Sequence, residues 1–153
     1  MILVLSILVA LLAAQDRYQP EFLASHNRVR AAVGVPPLEW SSQLAAVAQR
    51  WADDLAASKR FAHRPKSQYG ENLFEPIGTA ATPADVVTAW ASERSAYDPG
   101  RRTCRTGAVC GHYTQIVWRK TRKVGCGMAQ SGTRQVWVCN YDPPGNYAGQ
   151  RPY

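Results

Sequence analysis

The chain has 153 residues, 46% of them hydrophobic and 10% aromatic, which is ample for one globular core and excludes a disordered polypeptide. Its formal net charge of +7 sits in the C-terminal part: from Arg94 onward ten basic residues stand against Asp98 and Asp142 alone. Such a surface either is an ordinary solvated face or favours anionic lipid, polysaccharide or nucleic acid, but no nucleic-acid module is recognisable, so no specific nucleic-acid partner is expected.

The chain opens on an uninterrupted apolar run, Met1 to Ala14, followed by the polar Gln15-Asp16-Arg17. As a helix this run would span about 21 Å, short of the roughly 30 Å hydrocarbon core, so it reads as a secretory leader rather than a membrane span. The competing reading is a buried N-terminal helix. Residues 15–153 then form the mature domain, and a single compact domain reads as a monomer.

Three segments carry helical periodicity. In Pro20 to Val33, Phe22, Leu23, Val29 and Val33 can share a face, and Gly34 supplies a stop. In Ser42 to Ser58, Leu44, Val47, Ala48, Trp51 and Leu55 recur at three- and four-residue steps, with Ser42 as a candidate N-cap. The third helix starts from Thr82, with Pro83 at its first position and Asp85 completing a cap. Val86, Trp90, Glu93 and Tyr97 would then lie on one stripe. A carboxylate on an apolar face is costly without partners, so Glu93 is singled out.

Tyr113 to Trp118 fits a strand or a short helix equally well. Val124 to Ala129 and Gln135 to Tyr141 read as strands joined by a turn at Ser131-Gly132. A mixed α/β domain follows. Cys104, Cys110, Cys126 and Cys139 all lie in the last third of the chain. An even count behind a leader reads as two disulfides and an oxidising compartment, whereas a zinc site would be expected to show a C-x-x-C pair.

Two late segments are specific. Gly111-His112-Tyr113-Thr114-Gln115-Ile116-Val117-Trp118-Arg119-Lys120-Thr121 resembles the principal signature of the CAP superfamily, and Val138-Cys139-Asn140-Tyr141-Asp142-Pro143-Pro144-Gly145-Asn146-Tyr147 resembles its second. His26-Asn27-Arg28-Val29-Arg30 and Tyr69-Gly70-Glu71-Asn72-Leu73 match the family's two remaining motifs, in the family's order. From about Glu21 to Tyr153 the chain is similar to cysteine-rich secretory, antigen 5 and pathogenesis-related group 1 proteins, the plant group above all.

The resemblance implies an α+β fold, a three-layer α-β-α sandwich with a cleft across one face. It places a tetrad of His63, Glu71, Glu93 and His112 in that cleft, where Glu93 is the carboxylate the helix stripe had isolated. It also implies the disulfides Cys104–Cys110 and Cys126–Cys139, one bridge fewer than plant relatives carry. Closing the second loop would contribute about 3 kcal/mol in the chain-entropy model. His26 falls in a motif used for core packing, and Asn72 and Asn140 are expected to bond backbone.

Two imidazoles and two carboxylates suit a divalent ion such as Zn²⁺, and they suit a closed hydrogen-bonded network equally well. No G-x-S-x-G elbow is present and no separate nucleophile or base stands out, so no catalytic residue is assigned. The leading functional expectation, carried by the resemblance, is a secreted protein binding sterols or fatty-acid-like lipids, with a defence or antimicrobial role. The alternatives are a metal-dependent hydrolase using the tetrad and an extracellular module engaging a cell-wall polymer or a receptor, with an anionic membrane or cell-wall surface as a further partner.

Overall fold

The computed structural model describes residues 17–153, so the segment 1–14 read above as a leader lies outside the described residues. Helix α1, Gln19–Ala31, carries a proline in its first turn and gives way to Gly34, whose φ of 69° requires a residue without a Cβ penalty. A two-residue strand β1, Glu39–Trp40, leads into α2, Ser42–Ser58. The cap of α2 is Ser41, not Ser42: the Ser41 side chain accepts from Leu44 N, while Ser42 is already helical. Adjacent serines offer the same chemistry, and Ser41 wins because its backbone is extended, as an N-cap requires.

Strand β2, Gly70–Phe74, precedes α3, Pro83–Ser92, which opens on a full capping box between Thr82 and Asp85. The helical stripe expected through Tyr97 breaks at Glu93. From Glu93 to Ala96 the chain tightens into a 3-10 turn, and Tyr97–Asp98 is a strand, β3, paired with β4, Thr103–Cys104. The ambiguous segment resolves as a short helix, α4, Gly111–Ile116. Strands β5, Lys123–Ser131, and β6, Arg134–Asp142, form a hairpin turning at Gly132, φ 60°.

The main sheet has the order β1-β5-β6-β2, with β1 parallel to β5 and the other neighbours antiparallel. Strand alternation sorts its side chains into two cores. Val136 and Val138 of β6 join Leu73, Ala129 and the Ala48, Ala52 and Leu55 stripe of α2. Trp137, Cys139 and Tyr141 point the other way, into Phe22, Val86, Trp90, Tyr113 and Ile116 from α1, α3 and α4. Helix, sheet and helices are therefore three layers, the α-β-α sandwich that the motifs implied.

The close approach of α2 depends on two glycines of β5. A Cβ on Gly127 would lie 2.5 Å from Gln49 Cα, and one on Gly125 would lie 2.5 Å from Ser41 O. Both disulfides are formed, Cys104–Cys110 and Cys126–Cys139, so the sulfurs hold no metal. The first pins the β3–β4 hairpin to the start of α4, and the second joins directly paired residues of β5 and β6.

Candidate functional site

The polar cleft is built from the ends of elements. Trp90, near the end of α3, is buried and donates from its indole Nε1 to Leu73 O at 3.1 Å, which locks α3 to β2. Three residues on, Glu93 occupies the cap position where α3 tightens. Its carboxylate accepts from His112 N at 3.0 Å and Tyr113 N at 3.3 Å, the second and third residues of α4. It also meets His112 Nδ1 at 2.6 Å. The residue preceding α4 is Cys110, whose sulfur is committed to a disulfide. Glu93 thus caps α4 from another element and orients His112, whose ring stacks near-parallel on Trp90 at 6.0 Å between centroids.

A second pair lies between the loop after α2 and β2. His63 Nδ1 meets Glu71 Oε1 at 2.7 Å, and Arg64 N donates to the same oxygen at 3.1 Å. The burial is lopsided: the His63 side chain is 66% exposed and that of Glu71 only 5%. The hydrogen bond to Glu71 holds His63 above its ordinary pKa, against a smaller opposing effect of burial. Glu71 Oε2 is buried without a partner among the described residues.

The tetrad is therefore two His–Glu pairs, tied to each other through Asn72. From β2, the Asn72 amide donates to His112 O at 3.1 Å and to Tyr141 Oη at 3.2 Å. Tyr141 in turn meets His26 Nε2 at 2.9 Å, and His26 Nδ1 bonds Phe22 O at 2.8 Å. His26 is fully buried and its pKa is lowered to about 4, chiefly by desolvation. It belongs to the scaffold, as its motif implied. Asn140 likewise donates to backbone, at Gly70 O.

Two scaffold residues escaped the sequence reading. Arg30 is completely buried and donates to Pro36 O, Ile116 O, Trp118 O and Thr121 O. Its signal was the four-residue spacing Phe22, His26, Arg30, which puts the guanidinium on the buried face of α1. Gln115 is also buried, accepts from Gly145 N and donates to Thr121 Oγ1, which holds the chain after β6 against α4. That role depends on contacts distant in sequence, and no local pattern announces it.

As a metal set, the donor chemistry fits and the arrangement is open. Both imidazoles spend Nδ1 on a carboxylate, the usual outer-shell partner of a metal-binding histidine, and Glu71 Oε2 is an orphaned acceptor. Among the described residues no three His, Cys, Asp or Glu side chains are already gathered as a metal cluster. Against α4's Tyr113, α1 and α3 leave an apolar groove of about 250 Å³. It is lined by Val29, Ala32, Val33, Ala91 and Tyr113, with Arg28 and Arg94 as its charged members.

A sheet covered by one helix on one face and three on the other, with two His–Glu pairs beside its edge strand, is the arrangement of the CAP type of domain. The chain belongs to this family: the model of the cysteine-rich secretory protein family, CAP, matches residues 23–141. It is similar to pathogenesis-related protein 1A of Nicotiana tabacum, 49% identical over 136 residues that cover 88% of this chain and 80% of that protein. It is also similar to pathogenesis-related protein 1 of Arabidopsis thaliana, at 41% over 147 residues, covering 95% and 88%. Among solved structures, the venom allergen-like protein 4 of Schistosoma mansoni superposes with a TM-score of 0.71 at 27% identity, covering 88% of this chain and 92% of that one. A fold neighbour crystallised with Zn²⁺ gives 0.72 at 24% identity, covering 89% and 84%.

Proposed function

We propose that this protein is a secreted, defence-type lipid carrier whose groove between α1 and α3 takes the apolar body of a fatty acid or sterol. The observation that carries the reading is the groove's lining: five apolar or aromatic residues and two arginines. An apolar ligand would lose water-exposed surface against Val29, Val33 and Ala91, while Arg28 or Arg94 would meet a carboxylate or polar headgroup. Export is supported by the leader-like apolar run Met1–Ala14, by the two disulfides and by the family.

A divalent ion such as Zn²⁺ would be held by His63 and His112, with Glu71 and Glu93 orienting their rings and the second Glu71 oxygen free to join, and it would supply a Lewis acid at the cleft. The neighbour crystallised with Zn²⁺ makes the ion worth testing. The experiment is a titration of the oxidised protein with radiolabelled sterol and radiolabelled fatty acid, with and without Zn²⁺. Saturable binding that weakens by about tenfold or more in Ala91→Trp, which fills the groove, is expected. Absence of any saturable binding at micromolar protein overturns the reading. A zinc dependence lost in His112→Ala would link the tetrad to the same role.

A further inference from the structure

A further cavity among the described residues lies on neither the tetrad nor the α1–α3 groove. It measures about 400 Å³ and opens between the β3–β4 hairpin and the C-terminal segment 146–152. Its charged lining is Arg101 and Arg102, with no acidic side chain. Asp98, nearby on β3, turns its carboxylate to Gly100 N and Arg101 N and stands 3.9 Å from the Arg101 guanidinium. Between Asp98 and Asp142 the sequence has no acidic residue at all, so the field around the cavity is positive.

The remaining walls mix rings with amide and hydroxyl groups. Tyr147 is half exposed and packs its ring against the buried Trp118, and Thr103, Asn146 and Gln150 bring polar groups to the rim. The walls are fixed before any ligand arrives. Cys104–Cys110 ties the hairpin to α4, and Asn146 bridges Thr114 Oγ1 and Gly111 O at 2.7 and 2.9 Å. At the far end of the segment Arg119 N donates to Pro152 O at 2.7 Å. A preformed cavity avoids the ordering cost that weakens binding at mobile loops.

We infer that this cavity is a binding site for an acidic oligosaccharide, a short polymer of uronic acid units. Its carboxylates match the two arginines, the apolar face of a sugar ring matches the Tyr147 ring, and its hydroxyls match the amide and hydroxyl rim. A fatty acid or sterol fits less well, because its long apolar body would lie against a charged and polar rim. The site is independent of the lipid groove, and either can fail without the other.

The test titrates the oxidised full domain by calorimetry with a galacturonic acid trimer and, in parallel, with the neutral galactose trimer. Binding at one site is expected for the acidic trimer, with about tenfold loss in Arg101→Ala/Arg102→Ala and a clear loss in Tyr147→Ala. The control Lys120→Ala/Lys123→Ala removes the same charge away from the cavity and should leave affinity within about twofold. All variants change exposed side chains, and matching melting curves verify their folding. Equal binding of the neutral trimer, equal loss in both double variants, or no binding of the acidic trimer overturns the inference. So does arginine-dependent binding seen only with phosphatidylserine vesicles, which would assign the cavity to a membrane surface instead.

Discussion

Replacing Glu93 by alanine removes one carboxylate and three interactions at once. The amides of His112 and Tyr113 lose their acceptor, and His112 Nδ1 loses its partner at 2.6 Å. Loss of a helix cap costs about 0.5–2 kcal/mol, and loss of a charge-assisted hydrogen bond about 1.5–3 kcal/mol. The interactions share one group and are not additive, so the expected destabilisation is about 3 kcal/mol. At roughly 2–4 °C per kcal/mol for a domain of this size, the melting temperature should fall by about 6–12 °C. Glu93→Gln keeps an acceptor oxygen and should lose roughly half as much. Thermal unfolding followed by circular dichroism gives the stability. Amide hydrogen exchange at His112 and Tyr113 gives the local effect, since both should lose protection while the β5–β6 hairpin keeps it. If Glu93→Ala melts within about 2 °C of the parent with both amides still protected, the carboxylate is not the cap of α4 and the reasoning fails.

Acid should weaken the fold through His26. Its folded pKa of about 4 lies below its ordinary 6.5, so the unfolded chain takes up the proton first and stability falls as pH drops through that window. The loss amounts to about 3 kcal/mol, and His26→Gln should show a shallower decline between pH 7 and pH 4 in parallel urea titrations. Equal acid slopes for the two proteins would refute it. Gly125→Ala would drive a methyl group into backbone atoms of α2, which no rotamer change can relieve. A cost of about 3 kcal/mol is expected, at the upper end for overpacking, and an unchanged denaturation midpoint would show that the helix can retreat freely. Arg30→Met leaves four carbonyls without their buried donor and should cost about 3–5 kcal/mol, read from the same denaturation curves.

Much of this fold was legible before any coordinate. The apolar steps of Ser42 to Ser58 name the face of α2 that reaches the sheet, and the alternation of Val136, Trp137, Val138 and Cys139 separates the two cores. Such patterns are local, because a helix or strand repeats its geometry every few residues. Glu93 was also legible as an anomaly, since its place on an apolar stripe demanded partners. The motif resemblance named the cysteine pairs and the four polar residues, which periodicity has no means of pairing.

Other features belong to the tertiary structure alone. The sequence suggests that α3 continues to Tyr97, yet Glu93 ends it, because its carboxylate is engaged by α4, nineteen residues away. The lipid groove, the arginine-lined cavity and the division of the tetrad into two pairs each join segments far apart in the chain. Their free energies are set by distances and burial between elements, which a one-dimensional pattern does not contain. By itself the sequence determined three helices, the β5–β6 hairpin, the family and the chemistry-bearing residues. Only the packing of α1, α3, α4 and the C-terminal segment around one sheet decided which polar groups meet, because desolvation and hydrogen bonding act between neighbours in space.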